Sequence, residues 1–329
     1  MTERPIEVTR KKIFECQKIV ITSHLRPDGD SLCTGLALYF IIRQLGKKAD
    51  IINYDRTPAP FNQFPHMDVI KIGEIPPNYY DCVILLECAN VSRSGHRTLD
   101  NYFKINIDHH HSNDYYADIN WVDPEASAVA ELVYDLAVKL HIEFTPEIAN
   151  NLYCAIVSDT GSFQFSNTNA RSFEVCSNLV KKGADPISVS QFLFNNNPLE
   201  KIKLLGKVLS TLQLKENGKI ALISLFQKDL AILNQNEIDT EDITSLARSI
   251  IGVQVVLFFK EIRANVFRIS VRSKGEANAA AIAEHFGGGG HVHAAGFTVK
   301  GRFTNLTEEI PRIINSLFLS KQSSPEKAS

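Results

Sequence analysis

No stretch of the chain is both long enough and apolar enough to span a bilayer, although hydrophobic residues make up 44% of its 329 positions. The N-terminus, Met1 to Pro5, carries no apolar signal region, which predicts a protein that stays in the cytoplasm and off the membrane. The six cysteines, Cys16, Cys33, Cys82, Cys88, Cys154 and Cys176, include no C-x-x-C pair and sit mostly among apolar neighbours. That argues against a zinc knuckle or a disulfide frame and for reduced thiols in a core. Basic charge is not in excess either, with a formal net charge of -2 and a pI of about 6.6. The global field that wraps long duplex nucleic acid is therefore missing, and any anionic ligand must be gripped locally. No internal repeat is visible.

What is present is an alternation of strand and helix patterns. A short helix near residues 9–17 leads into a β-branched strand, Lys18 to Thr22, and a helix follows over Leu32 to Leu45. Further strands are expected at Ala49 to Tyr54, Cys82 to Leu86 and Phe103 to Ile107, with a Pro-rich coil between Thr57 and Pro65. Helices are expected over Ala126 to Leu140 and Pro146 to Val157. This alternation predicts an α/β fold with a doubly wound, mostly parallel sheet. The length predicts two unequal domains, and Asn195-Asn196-Asn197-Pro198 marks the clearest break. We expect a catalytic domain over 1–190 and a linker with a connector helix, Leu199 to Leu212, over 191–213. A smaller α/β domain is expected over 214–320 across a cleft, and a polar, disordered tail over 321–329.

Each of three predicted strands ends in residues that bind metals. After the first comes His24-x-x-x-Asp28-x-Asp30, where Pro27 and Gly29 predict a tight turn and Asp30 or Ser31 a cap for the next helix. After the third comes Glu87, and after the fourth Asp108-His109-His110-His111. Asp159 follows in Ser158-Asp159-Thr160-Gly161. Each cluster has a plain alternative: an Asp-Gly turn, a strand cap, a polar histidine tract. Together they supply two imidazoles (His24, His109) and four carboxylates (Asp28, Asp30, Glu87, Asp159). That set suits two divalent ions, Mn²⁺ or Mg²⁺, better than tetrahedral zinc. Paired ions of this kind are the usual equipment for phosphoester hydrolysis. His110, beside a ligand but free itself, is the candidate proton donor to the leaving oxygen.

In the C-terminal half, period-2 reading of Val266 to Arg272 puts Arg268, Ser270 and Arg272 on one face and Phe267, Ile269 and Val271 on the other. Gly287-Gly288-Gly289-Gly290-His291 offers backbone amides that can approach a ligand closely, with His291 adding a hydrogen bond. An edge strand and a structural glycine loop are the plain alternatives. Ser127-Ala128 and Phe163-x-Phe165 are candidates for lining the cleft, the aromatics stacking on a base. His66, His96, His141 and His285 read as surface or packing residues.

His24 to Ser31, Asp108-His109-His110, Ser158 to Gly161 and Gly288-Gly289-Gly290-His291-x-x-Ala294-Ala295-Gly296 occur in an order that resembles the DHH phosphoesterase family with its DHHA1 substrate domain. The likeness spans nearly the whole chain and is strongest to the oligoribonuclease and pAp phosphatase (nanoRNase) subgroup. It implies His24 and Asp28 as ligands of one ion, and Asp30, His109 and Asp159 as ligands of the other. Asp108 would orient His109 or His110. The family's bridging ligand is usually an aspartate; this chain has Glu87 there, which retains the carboxylate on a longer arm. Arg272-Ser273 is similar to the family's phosphate grip.

The implied cofactor is a pair of Mn²⁺ ions, with Mg²⁺ or Co²⁺ as alternatives. The implied substrates are di- to pentaribonucleotides, linear dinucleotides such as pGpG or pApA, and the 3′-phosphate of pAp; a homodimer is also implied. Competing readings are a RecJ-like single-strand exonuclease, a family II pyrophosphatase, and a nucleotide-binding regulator in which Glu87 leaves one metal site defective.

Overall fold

The computed structural model describes residues 4–232 and 241–319. The chain divides into two compact units after Asn196, inside the segment expected to connect two domains. The expected tail, 321–329, lies outside the described residues.

The first unit runs α1 (Pro5–Glu15), β1 (Lys18–Thr22), α2 (Gly29–Gln44), β2 (Lys48–Asn53), β3 (Ile70–Ile72), β4 (Cys82–Leu86), β5 (Phe103–Asp108) and β6 (Ile119–Val122). It continues α3 (Val129–Lys139), α4 (Pro146–Asp159), α5 (Ala170–Lys181) and α6 (Pro186–Phe194). The strands form one sheet of order β3-β2-β1-β4-β5-β6, parallel throughout. Strands β3 and β6 were not anticipated. They have three and four residues, too short for a period to show.

Strand β4 is Cys-Val-Ile-Leu-Leu, buried at every position. Such a continuous apolar run is what a parallel strand needs, because both its faces are covered. Alternate residues feed two cores. Ile19, Ile21, Ile84, Leu86, Ile105 and Ile107 pack against α2, α3 and α4, and each fully buried aliphatic contributes roughly 1.5–3 kcal/mol. Val20, Val83 and Leu85 face the other way, onto Ile75, Leu99 and Tyr102 from irregular segments and short 3-10 turns. Among the described residues, irregular segments and 3-10 turns cover this second face where α-helices cover the first. All six cysteines are buried and unbridged, as their apolar settings predicted.

The strand order has a mechanical consequence. From β1 the chain moves outward through β2 to β3, then returns to β4 and moves out the other way. At such a switch point the connections diverge and leave a crevice at the carboxyl ends of the strands. The residues leaving β1 and β4 there are His24 and Glu87.

The second unit contains α7 (Leu199–Leu209), β7 (Gln213–Lys215), β8 (Ile220–Leu225), α8 (Gln227–Ile232), α9 (Glu241–Arg248), β9 (Val255–Arg263) and β10 (Val266–Ser273). Then follow α10 (Ala279–His285), β11 (Gly289–His291), β12 (Ala294–Lys300) and α11 (Phe303–Ile314). Its sheet has the order β11-β12-β10-β9-β8-β7, with β8 and β9 parallel and the other pairs antiparallel. Strand β10 alternates as expected: Phe267, Ile269 and Val271 join the core with α10 and α11, while Arg268 is exposed.

The glycine run is only partly a loop. Gly287 and Gly288 close α10, their amides donating to the carbonyls of Glu284 (3.0 Å) and Ala283 (2.8 Å), and Gly289–His291 pair with β12. A Cβ on Gly288 would stand 2.2 Å from the Gly296 carbonyl oxygen, and one on Gly290 would stand 2.5 Å from Ala295 Cα. At Gly289 a Cβ meets nothing within 4 Å. The close approach that requires glycine at 288 and 290 is therefore to strand β12. Gly288→Ala is expected to lower unfolding free energy by about 1–3 kcal/mol in urea titrations, and Gly289→Ala to change it by less than about 0.5 kcal/mol. Equal effects would remove this assignment.

Candidate active site

His24 follows β1 through Ser23, whose amide and hydroxyl both donate to Asn53 Oδ1 (3.2 and 3.3 Å). The ring Nδ1 of His24 lies 2.8 Å from the Leu25 carbonyl. A carbonyl only accepts, so Nδ1 carries a hydrogen and Nε2 is the nitrogen turned toward the carboxylates. That Nε2 lies 3.6 Å from Asp28 Oδ2 and 3.7 Å from Glu87 Oε2.

The turn after His24 corrects two expectations. Asp28, not Asp30 or Ser31, caps α2: its Oδ1 accepts from the Ser31 amide (3.1 Å), while the Ser31 hydroxyl accepts from the Asp28 amide (3.1 Å). Asp28 is the last residue before the helix and so has the extended backbone that a cap needs. Gly29 is already helical, and its role is space, since a Cβ there would stand 2.1 Å from Ser158 Oγ on α4.

Asp30, 1% exposed, points the other way. Its Oδ1 accepts from Thr34 Oγ1 (2.7 Å) and the Ala130 amide (3.3 Å), and its Oδ2 from the Val129 amide (2.6 Å). Those amides open α3, whose own cap residue, Ala128, has no side-chain acceptor. Asp30 thus caps a second helix from outside, satisfying donors that would otherwise be orphaned. Helix α3 starts three residues later than expected because Ala126 to Ala128 stay out of it. This leaves the Ala126 carbonyl to take the Nδ1 hydrogen of His109 (3.0 Å).

His109 repeats the His24 arrangement. Its Nε2 faces Glu87 Oε1 at 3.6 Å and Asp159 Oδ2 at 3.8 Å. Glu87 lies between the two imidazoles, 2% exposed, on left-handed backbone (φ 57°) that an L-residue occupies only at a cost. Asn106, inside β5, braces that turn by donating to the Leu85 and Cys88 carbonyls (3.3 and 3.1 Å). Asp108 is fully buried and accepts from His110 Nδ1 (2.7 Å) and from the His109 amide (2.8 Å). It therefore orients the His110 ring, whereas the Ala126 carbonyl orients that of His109. His111 is exposed.

The ligand atoms fall into groups that lie within 4.8 Å of one another: His24, Asp28 and Glu87; Asp30, His109 and Asp159; and Glu87, His109 and His110. Separations of 3.6–3.8 Å are too long for hydrogen bonds. They suit atoms that share one cation with bonds of about 2.1 Å. Glu87 Oε2 is buried without a hydrogen-bond partner, which a protein tolerates where an ion completes the site. By these tests the residues fit a pair of divalent cations, with Glu87 shared by the first and third groups and His109 by the second and third.

The electrostatics agree. Burial opposes charge on His24, yet Asp28 and Glu87 outweigh it and lift the imidazole to about 10. His109 is lifted to about 10 in the same way, against burial, by Glu87, Asp30 and Asp159. Burial, with Asp30 beside it, pushes Asp159 up to about 7. Burial and the Asp28 and Asp30 charges drive Glu87 well above the usual carboxylate range, and burial raises Asp30 as well. Without a cation the cluster holds protons that ligation displaces.

In the second unit, Arg272 pairs with Ala294 across β10 and β12, and Ala294 with His291 across β12 and β11. The three lie in one row of the sheet, with Arg268 four residues along on the same face. Ser273 does not join them. It is 1% exposed on the opposite face, and its hydroxyl donates to the Val292 carbonyl (3.1 Å). Of the expected aromatics, Phe163 stacks on Phe173 with centroids 4.8 Å apart, and Phe165 is exposed. Ser127 is buried and donates to Glu131 rather than lining open space. His96, read as a packing residue, is buried between Thr22 and Glu74. The asparagines Asn53, Asn106 and Asn113 were missed, the last donating its amide to Asn106 Oδ1 (2.7 Å) and to Asp108 Oδ2. A polar residue within the apolar run Ile105-Asn106-Ile107 was the available signal for Asn106.

A family model described as the DHH family, N-terminal domain, matches residues 18–156, and one described as the DHHA1 domain matches residues 205–318. The bifunctional oligoribonuclease and PAP phosphatase NrnA of Thermus thermophilus is 32% identical over 302 residues, 91% of this chain and 89% of that protein. The Bacillus subtilis protein of that name is 29% identical over 290 residues, 85% of this chain and 89% of its own length. Among solved structures, an exopolyphosphatase-related protein from Bacteroides fragilis matches with a TM-score of 0.84 at 25% identity, covering 95% of this chain and 97% of that one. RecJ from Thermus thermophilus shares the fold, with a TM-score of 0.52 at 13% identity.

The raised proton affinities fix the sign of a pH effect. His24 and His109 titrate near 10 when folded and near 6.5 when unfolded, so their stabilising contribution is complete below about 6.5 and lost as pH rises through 10. The Asp159 contribution is likewise lost as pH rises through about 7. A tenfold preference for the proton is about 1.4 kcal/mol, or about 3–6 °C for a unit of this size. Chelator-treated protein should therefore melt several degrees lower at pH 9 than at pH 6 by calorimetry. Saturating divalent cation should flatten the dependence, and a chelated melting point that rises with pH would contradict it.

Proposed function

Because the chain belongs to the DHH family of phosphoesterases and carries a DHHA1 domain, we propose that it hydrolyses short oligoribonucleotides to mononucleotides and removes the 3′-phosphate of pAp. The observation that carries this reading is the position of Glu87. One buried carboxylate faces His24 with one oxygen and His109 with the other, so two ligand groups share a corner.

His24, Asp28 and Glu87 would hold one divalent cation, and Asp30, His109, Asp159 and Glu87 a second. Mn²⁺ is the ion we propose, since mixed imidazole and carboxylate ligands suit it. When bound, such a pair polarises the phosphate and offsets the charge that develops on its oxygens. The chain's own groups do the remaining work. His110, its Nδ1 hydrogen fixed on Asp108, presents Nε2 as the proton carrier to the leaving ribose oxygen. Arg268, Arg272 and His291, with the Gly289 and Gly290 backbone, form the grip on substrate phosphates, arginine's fork matching phosphate oxygens; the Gly288 amide is held by the Ala283 carbonyl. Few cations in that grip and a net charge of -2 favour a short substrate over a long polymer.

The reach of Glu87 to both imidazoles favours an enzyme over a regulator with a degenerate site. Purified protein with Mn²⁺ and a 5′-labelled diribonucleotide is expected to release mononucleotide, and excess chelator to stop it. Asp159→Ala and His109→Ala should abolish turnover with the fold intact by circular dichroism. His110→Ala should lower kcat about 100- to 10,000-fold while Mn²⁺ binding persists. Nucleotide binding without release would instead support the regulator, and full activity in either ligand variant would sink the metal assignment.

A further inference from the structure

Asn167 has no part in the site as read from sequence, yet its carboxamide is directed at Asp159. Its Nδ2 lies 3.3 Å from Asp159 Oδ2, 3.1 Å from the Asp159 carbonyl and 2.9 Å from the Ser127 carbonyl. Three acceptors converge on one nitrogen, so only the amino side of the amide can face them; the flipped amide would set oxygen against oxygen. The opposite atom, Oδ1, is buried without a partner. The amide therefore gives up its own acceptor bond to keep its donor on Asp159 and Ser127.

The approach to Asn167 is strained in the same sense. Gly161, Ser162 and Phe163 are all left-handed (φ 54°, 58° and 63°). The turn closes on Thr160, whose carbonyl accepts from the Gln164 and Phe165 amides (3.0 Å each). A Cβ on Gly161 would strike the Phe165 ring at 2.4 Å, so a third restraint fixes the path of the chain to residue 167. Strain of this kind persists only where the surroundings over-determine it. Ser127 stands between Ala126, whose carbonyl fixes the His109 ring, and Val129, whose amide fixes Asp30. Through Asn167, Asp159 is tied to the same short segment.

We propose that Asn167 is a positioning residue: its amide sets the Asp159 carboxylate in register with Asp30 and His109, so that these three bind one divalent cation together. The inference rests on the proposed metal site. It deepens that reading by naming what aligns the one ligand that arrives from a helix C-terminus. A donor that orients a ligating carboxylate typically accounts for a 10- to 100-fold change in metal affinity when removed.

Full-length protein should be titrated with Mn²⁺, following free ion by electron paramagnetic resonance, with the melting point of the chelated protein measured in parallel. Wild type is expected to bind two ions per chain. In Asn167→Ala and Asn167→Ser one of the two affinities should weaken 10- to 100-fold, the other should stay, and the chelated melting point should stay within a few degrees. Thr168→Val is the control, because its buried hydroxyl has no hydrogen-bond partner; its isotherm should match wild type. Asn167 isotherms that superimpose on wild type would overturn the inference, as would equal weakening of both ions or equal weakening in Thr168→Val. If wild type binds no Mn²⁺ at all, the metal site itself is wrong and the inference falls with it.

Discussion

Four carboxylates and two imidazoles are held almost within touching distance at the carboxyl ends of β1, β4 and β5, and most of the surrounding structure exists to keep them there. Carboxylates buried this closely repel, and each loses hydration that a partner must replace. The first unit answers with backbone donors for Asp30, an α2 capping bond for Asp28, and a left-handed turn under Glu87. None of these removes the charge. They make the cluster rigid and leave the balance to protons or cations, which is why the imidazoles are lifted and Glu87 Oε2 stays unpartnered.

Rigidity comes from an inconspicuous segment. Residues 126–130 contribute none of these six groups, yet their backbone touches two of them: the Ala126 carbonyl takes the His109 hydrogen, and the Val129 and Ala130 amides donate to Asp30. The Ser127 carbonyl takes the Asn167 amide. A Ser or Asp cap would take one or two of the first-turn amides for itself and compete with an outside acceptor for them. With Ala128 in that position, the donors of α3 serve a residue from α2 instead. The two helices therefore hold their relative places through a carboxylate that also belongs to the site.

Much of this was legible in the sequence, for a physical reason. Strand exits at His24, Glu87 and His109 could be read because parallel strands are buried on both faces and so appear as compact apolar runs followed at once by polar residues. The imidazoles and carboxylates that converge followed from residue chemistry alone. What stayed hidden was carried by backbone groups, which have no signature in side-chain identity: the helix that Asp30 caps, the carbonyl that orients His109, the left-handed φ at Glu87. Ser273 was misplaced for a related reason. In strand β10 it has the parity of Ile269 and Val271, so its hydroxyl turns inward to Val292. Period-2 reading carried one residue further would have shown it.

The glycine run answers a packing demand within its own sheet. Gly288 and Gly290 are small because β12 lies against them, whereas Gly289 has open space. Positions on one face of β12 are also small or short: Ala294, Gly296 and Thr298 lie opposite Arg272, Ser270 and Arg268. Small residues therefore stand beside the basic ones across the β10–β12 pairing. Gly288 and Gly290 thus serve close packing against β12. This accounts for a glycine-rich segment being built into a strand here and not left as an open loop.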